Sequence, residues 1–102
     1  MENESTLKLL RQASTAALRN WSPLDAPPRG GKSAFAHQHL QIGLSLYTQG
    51  NIPEALWEFF EAAGDEPANP LSHYLSGLAL QALGLGDEAT DEWRKVLALT
   101  QT

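Results

Sequence analysis

Residues 36–50, AHQHLQIGLSLYTQG, and residues 70–84, PLSHYLSGLALQALG, are the stretch that decides the fold. Set 34 positions apart, they share His39/His73, Gly43/Gly77, Leu44/Leu78, Leu46/Leu80 and Gly50/Gly84. The register continues through Glu54/Glu88, Ala55/Ala89 and Glu58/Glu92, which makes eight identities in the 33 pairs between 36–68 and 70–102. Phe59 falls on Trp93, so a large aromatic is kept as well. A fixed period of this length marks a repeat architecture, in which each unit buries its apolar face only against its neighbours.

Each unit reads as two helices. Leu40, Leu44 and Tyr47, and then Tyr74 and Leu78, recur at helical intervals. Gly50-Asn51 and Gly84-Leu85-Gly86 are tight turns between helices, Pro53 suits a first helical turn, and Asn69-Pro70 opens a new helix. The spacing predicts helices over 36–49, 53–65, 70–83 and 87–100, an all-α fold.

Outward from the repeat, residues 22–33 hold three Pro and two Gly. Such a stretch cannot sustain a helix or a central strand, so 22–35 reads as a Pro/Gly-rich loop. Before it, Leu7, Leu10, Ala17, Leu18 and Trp21 share one face of an amphipathic helix within 1–21, with Ser5 or Thr6 as its cap. This helix is not a third unit, because Leu9 would fall on the Gly43 position and Trp21 on the Ala55 position. The expected organisation is a helix at 1–21, a loop at 22–35, and two units at 36–69 and 70–102.

Numbered from Ala36 and Pro70, the units resemble those of the tetratricopeptide (TPR) family. The small residue of the first helix is Gly43 and Gly77, the turn glycine Gly50 and Gly84, and the small residue of the second helix Ala55 and Ala89. The bulky position is Phe59 and Trp93, and Pro67 closes the first unit. The chain departs from the pattern in three places. His39 and His73 stand where the family often has Trp, Ser76 replaces an apolar residue, and the second unit lacks its closing proline. The resemblance covers 67 of the 102 residues. It implies a right-handed helical stack whose concave face binds peptides, helices or partner proteins without catalysis. On that face it would place Leu40, Leu44, Tyr47, Tyr74 and Leu78 as partner contacts. Leu40 and Leu44 stand where the family's polar carboxylate-clamp residues are expected, which points to an apolar peptide or helix as ligand.

The second helices differ in a telling way. Leu56, Trp57 and Phe60 in the first unit correspond to Thr90, Asp91 and Arg94 in the second. Burying a large apolar side chain is worth roughly 1.5–3 kcal/mol, so Trp57 and Phe60 form a second candidate contact patch. Two units alone rarely make a stable stack. The candidates to cover the first unit are, in order, the N-terminal helix, a second copy in a homodimer, and a foreign partner.

Composition bounds the remaining function classes. Hydrophobic residues make up 42% of the chain, too many for a disordered one. Seven Lys+Arg against twelve Asp+Glu give a net charge of −5. That argues against non-specific nucleic-acid binding and against an anionic membrane surface, both driven by basic patches. The charge is uneven: residues 1–35 carry +2 and residues 36–102 carry −7. With no cysteine, disulfides, thiolate metal sites and a Cys nucleophile are excluded. No apolar run approaches the ~18 residues of a membrane span, and the acidic start lacks the features of a secretory signal. The expectation is a cytoplasmic protein.

Three features invite a chemical reading. Residues 26–33 satisfy a loose phosphate-loop pattern ending in Gly31, Lys32 and Ser33, the basis of an alternative nucleotide-binding function. Two adjacent prolines remove N–H donors from that loop, and no apolar strand precedes it. His37, His39 and His73 make a poor metal set, since two residues apart on a helix point in different directions. His39 and His73 are expected to play a structural part instead, stacking between neighbouring units. Asp87, Glu88, Asp91 and Glu92, followed by Arg94 and Lys95, read as a solvated helix face. The expectation is a non-enzymatic adaptor, assembly factor or small subunit, with no metal or cofactor; the alternative within the same class is a self-capped homodimer with a purely structural role.

Overall fold

A computed structural model describes residues 4–19 and 32–101. Five helices follow one another: α1 (Glu4–Arg19), α2 (Lys32–Thr48), α3 (Ile52–Asp65), α4 (Pro70–Ala82) and α5 (Gly86–Thr100), with no strand among the described residues. The helix α2 begins at Lys32, inside the segment the sequence assigns to a loop. Trp21 and the Ala26–Gly31 part of the phosphate-loop-like segment lie outside the described residues.

The two helix pairs are built alike. Gly50 and Gly84 adopt φ values of +86° and +81°, the left-handed conformation that ends a helix cheaply only at glycine. In the first turn Gly50 N–H donates to Tyr47 O (3.0 Å) and Asn51 N–H to Leu46 O (2.9 Å). In the second, Gly84 N–H donates to Gln81 O (3.0 Å) and Leu85 N–H to Leu80 O (2.9 Å), so the two turns carry the same pair of bonds. Pro53 and Pro70 occupy the first turns of α3 and α4, where a missing N–H costs nothing, and Asn69 caps α4 by accepting from Leu71 N–H at 2.9 Å.

Within each pair a glycine lets the helices close. A Cβ placed on Gly43 would fall 2.5 Å from the Phe59 ring, and one on Gly77 would collide with the Trp93 indole. Phe59 and Trp93 are therefore fully buried over bare backbone, and the Trp93 Nε1–H donates to Tyr74 O at 3.2 Å. Two core clusters result. One gathers Ala36, Leu40, Ala55, Phe59, Ala62, Leu75 and Ala79 across α2, α3 and α4. The other holds Leu80, Ala89, Trp93 and Val96 between α4 and α5. Ser76, where the repeat pattern has an apolar residue, is fully buried and satisfies its hydroxyl on Ser72 O at 2.8 Å.

The N-terminal helix, first among the candidates to cover the first unit, lies against the second instead. Its Leu7, Leu10 and Leu18 pack on the Trp93 cluster, and its main contacts are with α5 and α4. Fully buried Ser14 donates to the Trp93 carbonyl at 3.2 Å, a bond that requires the two backbones to lie close. A bulkier residue there would hold the helices apart. Thr15 shares a hydrogen bond with the Tyr74 hydroxyl (2.8 Å), and Arg11 donates to the Gln81 side chain (3.2 Å). The order of packing along the stack is thus α2, α3, α4, α5, with α1 closing the α5 end.

Candidate functional site

The residues singled out in the sequence fall into three environments. Leu40 is 6% exposed and belongs to the core. Tyr74 and Leu78 are half-buried, touch both core clusters, and lie on the side of α4 where α1 docks. Tyr47 is half-buried against the first cluster, whereas Leu44 is 41% exposed. Trp57 and Phe60 remain 58% and 47% exposed, because the helix expected to cover them sits elsewhere.

The outer surfaces of the two units therefore differ. The first exposes Ile42, Leu44, Trp57 and Phe60, together with Phe35 just ahead of it, whereas the second exposes Leu83, Leu85 and Leu99 near its turn and its end. Ile42 is half in solvent, while Ser76 at the same place in the second unit is fully buried.

Of the repeated histidines, His73 does reach the neighbouring unit, through a hydrogen bond to Pro67 O. Each pairs across its own unit, with the glutamate 19 residues later. His39 Nδ1 lies 2.6 Å from Glu58 Oε2, and its Nε2 is 3.7 Å from Asp65 Oδ2. His73 Nδ1 is 3.3 Å from Glu92 Oε1, and its Nε2 is 3.0 Å from Pro67 O. Both ring nitrogens of His73 face acceptors, and only the imidazolium can donate to both at once. The hydrogen bond to Glu92 raises the pKa of His73 against the opposing effect of burial. Burial by itself would raise Glu92, but the hydrogen bonds from His73 and Lys95 outweigh it and hold the carboxyl below its ordinary value. Glu92 is accordingly 7% exposed, not part of a solvated face as the sequence suggests, and Lys95 closes on it at 2.6 Å. Arg94 and Asp91 do form the expected exposed pair, at 3.7 Å. In sequence, the sign of these clips was the shared 19-residue His–Glu spacing.

Among the described residues no group of three or more His, Asp or Glu side chains could hold a metal ion. No described helix is long and apolar enough to cross a membrane. On α3 the exposed Trp57 and Phe60 share the helix with exposed Glu54 and Glu61.

Sequence comparison finds the chain 30% identical over 69 residues to "DnaJ homolog subfamily C member 3" of Mus musculus. Proteins of the same name from Homo sapiens and Bos taurus are 29% identical over 69 residues. Each match covers 68% of this chain and 14% of the relative, so the chain spans about one seventh of the length of the curated relatives it matches. No protein-family profile matches the chain, and no solved structure matches it.

Proposed function

We propose that the two helix pairs are tetratricopeptide-type units and that the protein is a non-catalytic protein-interaction module, taking an apolar peptide or helix. The observation that carries this reading is the agreement of the two pairs at a 34-residue spacing. Both have the same left-handed glycine turn, the same glycine beneath a buried aromatic, and the same His–Glu clip. The 69-residue match to the DnaJ homologs has the length of two such units. With α1 engaging the Tyr74 side, the contact set offered to a partner is Leu44 and Tyr47 on α2, with Trp57 and Phe60 on α3.

The test is Leu44→Glu. The variant is expected to melt like the parent, since Leu44 is already 41% exposed, and to bind amphipathic helical peptides at least ~10-fold more weakly. Circular dichroism and peptide titration followed by amide chemical shifts read the two effects separately. Loss of folding would place Leu44 in the core and remove it from the contact set.

A further inference from the structure

The exposed positions of α3 are Pro53, Glu54, Trp57, Phe60, Glu61 and Gly64. Residues three and four apart are neighbours on a helix surface, so Glu54 and Glu61 flank Trp57, with Phe60 beside it. The helix contains no basic residue. Glu54 and Glu61 form no ion pair among the described residues. At the same register α5 carries Asp91 for Trp57, Arg94 for Phe60, Glu88 for Glu54 and Lys95 for Glu61, and there Arg94 pairs with Asp91 and Lys95 with Glu92 on the same helix. The chain's own basic helix, α1, is engaged at the other end of the stack.

We infer that the exposed face of α3 is a docking site for a segment of a partner protein that carries Lys or Arg among apolar side chains. The inference rests on the interaction-module reading and names the surface and the partner's chemistry. A cation within about 6 Å of an indole face is attracted by the ring quadrupole, and Glu54 and Glu61 add their charge on either side of it. An apolar segment without basic groups would strip water from both carboxylates and return nothing, so the apolar peptide or helix proposed above carries Lys or Arg where it meets α3; an acidic segment would meet like charge. Two aromatic side chains bury about 150–250 Å² each, an interface well below ~1,200 Å². Contacts of that size are transient, and the surface charges make this one weaken with salt.

The experiment uses the isotope-labelled full chain and two short synthetic amphipathic peptides of identical pattern, one of leucine and lysine, the other of leucine and glutamate. The leucine–lysine peptide is expected to shift the Trp57 indole N–H and the α3 amides, and the leucine–glutamate peptide to leave them unmoved. Trp57→Ala or Phe60→Ala should weaken that binding ~10-fold or more without changing the melting temperature, as expected of contact residues near the centre of an interface. Joint Glu54→Gln and Glu61→Gln substitution should flatten its salt dependence. Equal shifts from both peptides, or none at α3 from either, overturn the assignment. Shifts confined to Leu44 and Tyr47 overturn it too, while leaving the interaction-module reading in place.

Discussion

Helices α3 and α5 hold the same place in their units and meet solvent with opposite chemistry. Inward they agree: Ala55 and Ala89 are fully buried, as are Phe59 and Trp93. Outward, α3 shows Trp57 and Phe60 where α5 shows Asp91 and Arg94. The shared inward face follows from the repeat, since each aromatic fills the space left by a glycine on the preceding helix. The outward face is free of that constraint, so its chemistry reports on what each helix meets. The α5 side meets α1 and water, and α3 retains an apolar strip that nothing in the described chain covers.

Truncating the same residue type on both helices is the most direct way to break this comparison. Trp93→Ala removes a fully buried indole and its hydrogen bond to Tyr74, and is expected to cost about 3–5 kcal/mol. Trp57→Ala, at a site 58% exposed, should change stability by no more than about 0.5 kcal/mol. Urea denaturation of the two variants decides it; a comparable loss in both would mean that Trp57 is part of the core. Next in size is Ser14→Leu, which forces bulk into the close approach between α1 and α5 at an expected cost of about 1–3 kcal/mol. Amide hydrogen exchange should speed up across α1 and leave α2 and α3 protected. Uniform loss of protection would show that the stack cannot stand without its end layer.

A smaller effect, of the other sign, sharpens the contrast. Thr90 occupies the register of Leu56 and buries a hydroxyl that has no hydrogen-bond partner. Thr90→Val keeps the shape and should stabilise the protein by about 1 kcal/mol, read as a raised denaturation midpoint. The last prediction concerns pH. His73 has a raised pKa, so its contribution is complete below the ordinary histidine value of 6.5 and is lost as pH rises through the folded-state value. Glu92 has a lowered pKa, so its contribution is complete above 4.5 and is lost as pH falls through the folded-state value. Melting temperature should therefore be highest between those values and decline on both sides. His73→Gln should flatten the alkaline decline, and an unchanged slope in that variant would assign it to another group.

Much of the fold was legible because a repeat states its packing twice. The glycine turns, the small residues at Gly43 and Gly77, and the aromatics opposite them each recur at the same spacing, and the structure shows them in equivalent contacts. The candidate site was less legible. Leu40 and Leu44 look alike in sequence, four residues apart on α2, yet one lies in the core and the other is 41% exposed. Periodicity places both near one helix face, and only the neighbouring helix decides how far that face is covered. The clip between His73 and Glu92 was hidden for a similar reason, since Glu92 sits in a run of acidic residues that resembles a solvated stripe.

By itself the sequence determined the helices, their turns and the pairing within each unit, because these depend on residues close along the chain and on steric limits that glycine and proline impose locally. Tertiary structure alone decided where α1 lies. Its leucines at helical spacing would suit any apolar face, and the apolar outer surface of the first unit was the expected one. The choice rests on Ser14 against the Trp93 backbone, Thr15 against Tyr74 and Arg11 against Gln81. These contacts join residues separated by 79, 59 and 70 positions, and a pattern of short period carries no record of such distances. With α1 held at the α5 end, Trp57 and Phe60 stay in solvent.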